Sequence, residues 1–168
     1  MSWIAIALLV LLAAIGAIVA TGYLLPVRHR ATRAASYRQS PDELRAIVAD
    51  FAGQPAWRQG VTKVESLSSN SGNPTYRETS KNGVVTYEVI ESGPRRIVTR
   101  IADKSLPFGG TWTYQIEDHE GGARLRITED GEVYNPIFRA LSRFVFGHTA
   151  TIDAYLRSLD GKLGAGGN

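Results

Sequence analysis

From Trp3 to Leu25 the chain reads WIAIALLVLLAAIGAIVATGYLL, with no charged side chain. As an α-helix this run is about 34 Å long, enough to cross a hydrocarbon core of about 30 Å. Trp3 and Tyr23 stand near its two ends, where amphipathic rings favour the interface, and Pro26 stops the helix. A cleavable signal peptide is the competing reading, and the small Ala17 and Ala20 are compatible with it. Against it, no Lys or Arg precedes the run, which is also longer than a usual signal core. A retained, single-pass anchor in the cell membrane is the expectation.

Charge supports a membrane partner rather than nucleic acid. Of 19 basic side chains, Arg28, Arg30, Arg33 and Arg38 lie just after the run with no acid among them, which leaves 15 against 16 acids elsewhere. A nucleic-acid binder would spread its basic residues over the folded unit. Basic residues beside a span tend to stay in the cytoplasm, so the folded part is expected there. The arginines act as a stop signal for insertion, as contacts for anionic headgroups, or as both. With no Cys in the chain, disulfide scaffolds, thiol enzymes and cysteine-bound metals are ruled out.

The remainder reads as one α+β unit. A short first strand is expected over Ala31 to Arg38. Ser40, Pro41, Asp42 and Glu43 form a helix start, followed by Leu44, Ile47, Val48 and Phe51 at helical spacing and a stop at Gly53. From Val61 the period changes to two. Strands are expected at 61–67, 75–80, 84–90, 96–102, 111–117 and 124–132, with Asn82-Gly83 as a hairpin turn. Trp112, Tyr114 and Ile116 share one face, as do Leu125 and Ile127. The helical period returns after Asn135 and Pro136, and Ile137, Leu141, Phe144, Val145, His148, Ile152, Tyr155, Leu156 and Leu159 predict one continuous stripe ending at Gly161. That stripe is expected to lie on the sheet.

This order resembles the helix-grip fold of the START and Bet v 1-like (SRPBCC) superfamily, in particular its polyketide cyclase/dehydrase and lipid-transport group. The likeness is carried by SYRQSPDELRAIVADFAGQPAWRQGVTKVE at 36–65, GTWTYQIED at 110–118 and NPIFRALSRFVFGHTATIDAYLRSL at 135–159. It implies a curved antiparallel sheet of about seven strands around a long C-terminal helix, with an apolar cavity between them, here preceded by a transmembrane helix. Fold membership does not fix an activity. The chain is expected to divide into an anchor at 1–27, a basic juxtamembrane segment with the first strand at 28–38, the helix-grip domain at 31–160 and a flexible, Gly-rich tail at 161–168.

Trp57, Tyr87, Phe108, Trp112, Tyr114 and Tyr155 are the candidates for the cavity wall, and they either line a ligand site or fill a closed core. Leu106 to Gly110 is either a mobile gate or a plain strand connection. His148 lies on the helical stripe, where a neutral imidazole would meet a ligand carbonyl or act as a base. Otherwise it is a core histidine bonded to a strand tyrosine or Thr151. Glu129 continues the inward parity of Leu125 and Ile127, which would make it a buried carboxylate near His148; alternatively a bulge at Asp130-Gly131 turns it to water. His29 and His119 are expected in solvent. There is no metal-ligand spacing, phosphate loop, dinucleotide fingerprint or nucleophile elbow, so no cofactor is implied.

The leading expectation is a membrane-anchored binding module for a small hydrophobic or lipid-like ligand, with no enzyme activity required. The alternatives are a cyclase- or dehydratase-like enzyme using His148, with Glu129 as second candidate, and a non-catalytic interaction protein tethered at the membrane. Phe138 and Phe146, off the centre of the stripe, favour some contact of that last kind.

Overall fold

The computed structural model describes residues 2–68 and 72–164, the side chain of Phe146 excepted. Residues 165–168 of the expected flexible tail lie outside it. The uncharged run forms one helix, α1 (Trp3–Leu24), capped at its start by Ser2 and long and apolar enough to cross a membrane. After it the chain enters β1 (Arg28–Tyr37), α2 (Pro41–Ala49) and a single 3-10 turn (Gln54–Ala56). A meander follows: β2 (Val61–Leu67), β3 (Thr75–Ser80), β4 (Gly83–Ser92), β5 (Arg96–Ile101), β6 (Phe108–His119) and β7 (Gly122–Val133). The chain closes with α3 (Pro136–Leu141), a π-helical stretch (Ser142–Phe146) and α4 (Ala150–Leu163).

The seven strands form one antiparallel sheet in the order β1-β7-β6-β5-β4-β3-β2. Each hairpin places consecutive strands side by side, and only β1 is brought in from afar, to the free side of β7. Ser40 caps α2 through the backbone N–H of Glu43, and the Glu43 carboxylate accepts from the Ser40 backbone, so the helix start read from the sequence closes as a capping box. α2 then buries Leu44 and Val48 against the strands. The core joins them to Ile97, Ile116, Leu125 and Ile127 of the sheet and to Ile152 and Leu159 of α4.

Four local expectations are corrected. First, β1 starts at Arg28, three residues before Ala31. Second, the β3–β4 turn is Lys81-Asn82, and Gly83, at φ 122°, already pairs with Ser80. Third, Gly109 and Gly110 are no gate: both belong to β6 and pair with Glu132 and Gly131. Gly110 sits at φ 125°, and a Cβ there would collide with the Asp130 carbonyl, so close packing against β7 explains the glycine.

The fourth concerns the C-terminal helix, which is not continuous. The π-helical stretch and Gly147, at φ 75° and ψ 148°, separate α3 from α4. α4 buries Ile152, Tyr155, Leu156 and Leu159 against the sheet and ends beyond Gly161, at Gly164. Ile137, Phe144 and Val145 instead remain 43%, 67% and 65% exposed. An added residue in a helical turn rotates everything after it by about 100°, so a stripe counted at a uniform period loses its phase here.

Candidate functional site

Between the concave face of the sheet and α4 lies a cavity of about 610 Å³. Strand parity builds one wall. Tyr87 of β4, Thr99 of β5, Trp112 and Tyr114 of β6 and Glu129 of β7 all point into it, and α4 contributes Tyr155 from the other side. The rings pack on one another: Tyr155 meets Tyr114 at 5.7 Å and Trp112 at 6.0 Å between centroids. Phe108 and His148 also border the cavity, at its outer part. Trp57 packs edge-on behind Tyr155, at 5.4 Å, and supports the wall from outside.

Two polar groups of residues interrupt this apolar lining. At one, Trp112 Nε1 donates to Glu129 Oε2 at 2.9 Å, and His29 Nε2 lies 3.3 Å from Glu129 Oε1. The His29 ring stacks on His148 at 4.1 Å, and Ser142 Oγ is 3.3 Å from His148 Nδ1. β7 runs without a bulge at Asp130-Gly131, so Glu129 keeps its inward parity. Burial pushes its carboxyl above the usual carboxylate range, against the opposing pull of His29 and of the hydrogen bonds from His29 and Trp112. Burial, with the nearby charges of His29 and Arg143, lowers the basicity of His148. Both groups are therefore driven toward their neutral forms. A neutral carboxyl donates a proton and a neutral imidazole accepts one.

At the other, Arg58 Nη1 donates to Glu78 Oε2 at 2.6 Å and to Gln54 Oε1 at 2.9 Å. Its guanidinium also lies 5.4 Å from the centre of the Tyr155 ring. Burial keeps the hydroxyls of Tyr87 and Tyr155 protonated far above their ordinary range. Neither hydroxyl has a hydrogen-bond partner among the described residues.

His29, expected in solvent, is thus a member of the inner cluster. Its side chain is only 13% exposed. The signal available in the sequence was parity with Ala31 and Tyr37, once the strand is known to begin at Arg28; Gly131 opposite it leaves the space its ring fills. Arg58, Glu78 and Gln54 carried no such signal, because their pairing joins the 3-10 turn to a strand distant in sequence. His148 meets His29 and Ser142 rather than a strand tyrosine or Thr151. A second hollow, of about 890 Å³, is bordered by the outward-parity residues Glu88, Arg100, Thr111 and Asp130. Ion pairs such as Arg100 with Glu88 and Arg28 with Glu132 line it, which makes it a poor home for an apolar molecule.

A sheet gripping a C-terminal helix over such a cavity is the architecture of a known family, and the family model described as polyketide cyclase/dehydrase and lipid transport matches residues 28–162. The chain belongs to this family. Its fold recurs in a START superfamily protein from Mycobacterium smegmatis, at 20% identity over 80% of this chain and 97% of that one, with a TM-score of 0.64. It recurs in the Zhui aromatase/cyclase from a Streptomyces species, at 15% identity over 84% and 99% of the two chains, TM-score 0.59. The di-domain aromatase/cyclase StfQ of the steffimycin biosynthetic pathway matches at 12% identity over 82% of this chain and 51% of its own, TM-score 0.62. At these identities the likeness is one of fold. No curated protein matches the sequence. The family match covers the sheet, the cavity and α4, and leaves α1 outside it.

Proposed function

We propose that the protein is a membrane-anchored module that holds a small hydrophobic or lipid-like molecule between its sheet and α4. The observation that carries this reading is the cavity of about 610 Å³ walled by Tyr87, Trp112, Tyr114 and Tyr155. Such a volume suits a ligand of drug or single-lipid-chain size. Apolar surface moved from water into it gains roughly 25 cal/mol per Å². α1 supports the tether, and Arg28, Arg30, Arg33 and Arg38 on its C-terminal side support a cytoplasmic domain. A tether keeps the cavity near a reservoir in which an oily cargo is already dissolved.

Mass spectrometry of the detergent-purified full chain tests the proposal. A stoichiometric lipid-like molecule is expected with the wild type and is expected to be lost from Ala154→Trp, which fills the cavity from the α4 side. Preparations from several hosts that carry no such molecule, and that bind no fluorescent fatty-acid analogue, would overturn it.

A second reading is favoured by the Glu129, His29 and His148 cluster, since a carboxyl and an imidazole both held toward neutrality suit acid–base work on a bound carbonyl compound. In that case His148→Gln abolishes turnover of a cyclisable polyketide-like substrate while binding persists. Binding without turnover in the wild type sinks this reading and leaves the first.

A further inference from the structure

We propose that the segment Pro136–Phe146 is a second membrane contact, lying in the lipid interface beside α1 and forming the bilayer-facing lip of the cavity. The inference rests on α1 being the membrane span. α3 packs on the last turn of α1, where Gly22 is buried and a Cβ would collide with the Pro136 carbonyl oxygen. Arg139, 9% exposed, ties the two together. Its guanidinium donates to the Gly22 and Leu25 carbonyls at 3.0 and 2.9 Å, and to the Val133 and Tyr134 carbonyls, both at 3.0 Å. Carbonyls at the end of a helix have no partner within it. Here one buried arginine serves them and fastens the end of β7 to the same point.

This latch leaves α3 little choice of depth. Tyr23 and Leu24, at the interfacial end of α1, are 70% and 88% exposed. α3 begins beside them and then shows Ile137, Phe138, Phe144 and Val145 to the outside, at 43% to 67% exposure, with Arg143 exposed among them. Large apolar side chains on one short surface segment, with a basic residue between them, match an element lying in the headgroup region. Tyr134, 48% exposed, adds an amphipathic ring at the residue whose carbonyl Arg139 holds. Phe138, Ser142 and Gly147 also border the cavity, so the segment that meets lipid on one side meets the ligand space on the other. An apolar molecule would then pass from bilayer to cavity without crossing bulk water.

The absence of cysteine allows a clean test on the full chain. Leu12→Cys, Val145→Cys and Arg124→Cys are labelled with an environment-sensitive fluorophore and placed in nanodiscs of phosphatidylcholine and phosphatidylglycerol, with and without acyl-brominated lipid. Blue-shifted emission and loss of most intensity to brominated lipid are expected at positions 12 and 145, and neither at position 124. Quenching at 12 with water-like emission at 145 overturns the proposal while the anchor stands. A blue shift at 145 without quenching assigns the surface to a protein partner or a second copy, and also overturns it. No quenching at 12 removes the anchor, and the proposal with it.

Discussion

Glu129 and His148 face the same physical problem with opposite sign. The carboxyl of Glu129 is held above its ordinary range, so the unfolded chain gives up its proton first as pH rises. Between the two values the unfolded state binds fewer protons, and stability falls with rising pH. Glu129→Gln keeps an acceptor for Trp112 Nε1 and removes the charge. It is expected to unfold at a higher temperature than wild type above the raised value, with the difference vanishing below the ordinary carboxylate range. His148 is held below its ordinary range, so the unfolded state binds more protons as pH falls through that range, and stability is lost. His148→Gln is expected to flatten that arm in a series of melting curves. Tyr155 adds a test of packing. Its hydroxyl is buried without a partner among the described residues while its ring touches Trp57, Trp112 and Tyr114. Tyr155→Phe is expected to be stabilising by about 1 kcal/mol in chemical denaturation, and Tyr155→Ala to cost about 3–5 kcal/mol. The inward parity of Glu129, Trp112 and Tyr114 was legible because alternation is a local property. The place of His29 was not, since it depends on where β1 begins and on the space left by Gly131 across the ladder.

At the scale of elements, the strands were readable because they combine period-two alternation with turn residues, and α2 because its start, Ser40 to Glu43, is written in adjacent positions. The broken C-terminal helix was not readable, because the apolar spacing runs through the break. Only the backbone shows that Ser142–Phe146 is wound wider and that Gly147 reverses φ. The conformation of Gly147 is one that essentially only glycine adopts. Gly147→Ala is therefore expected to lower the unfolding free energy by about 1–3 kcal/mol. The same substitution at the exposed, helical Gly161 is expected to be neutral or slightly stabilising, and equal effects at both sites would show that the break carries no strain. The contact of α1 with α3 was equally hidden, because Arg139 is a polar residue off the predicted stripe whose four acceptors are all backbone carbonyls. Arg139→Met is expected to speed amide exchange at residues 22–27 and 134–139 in nanodiscs and to leave the α4 region unchanged.

Over the whole molecule, the proposed anchor gives the arginines after α1 two roles, at two different times. During the proposed insertion of α1 the sheet would not yet exist, and unpaired Arg28, Arg30, Arg33 and Arg38 would bias which side of the membrane the domain takes. Once folded, Arg28 pairs with Glu132, Arg30 with Asp130 and Arg33 with Asp153, so β7 and α4 compensate much of the positive charge the sequence displays. Such exposed pairs contribute only about 0–1 kcal/mol each. Headgroup attraction by these three side chains would compete with their intramolecular partners, which makes the apolar surface of α3 the stronger of the proposed contacts with lipid. Changing all four arginines to glutamine is expected to raise the share of chains with the domain on the opposite side, measured by protease protection in sealed vesicles. The melting temperature of the correctly oriented protein is expected to move by only a few degrees. Unchanged orientation together with a large loss of stability would mean that these residues serve the fold and not the topology.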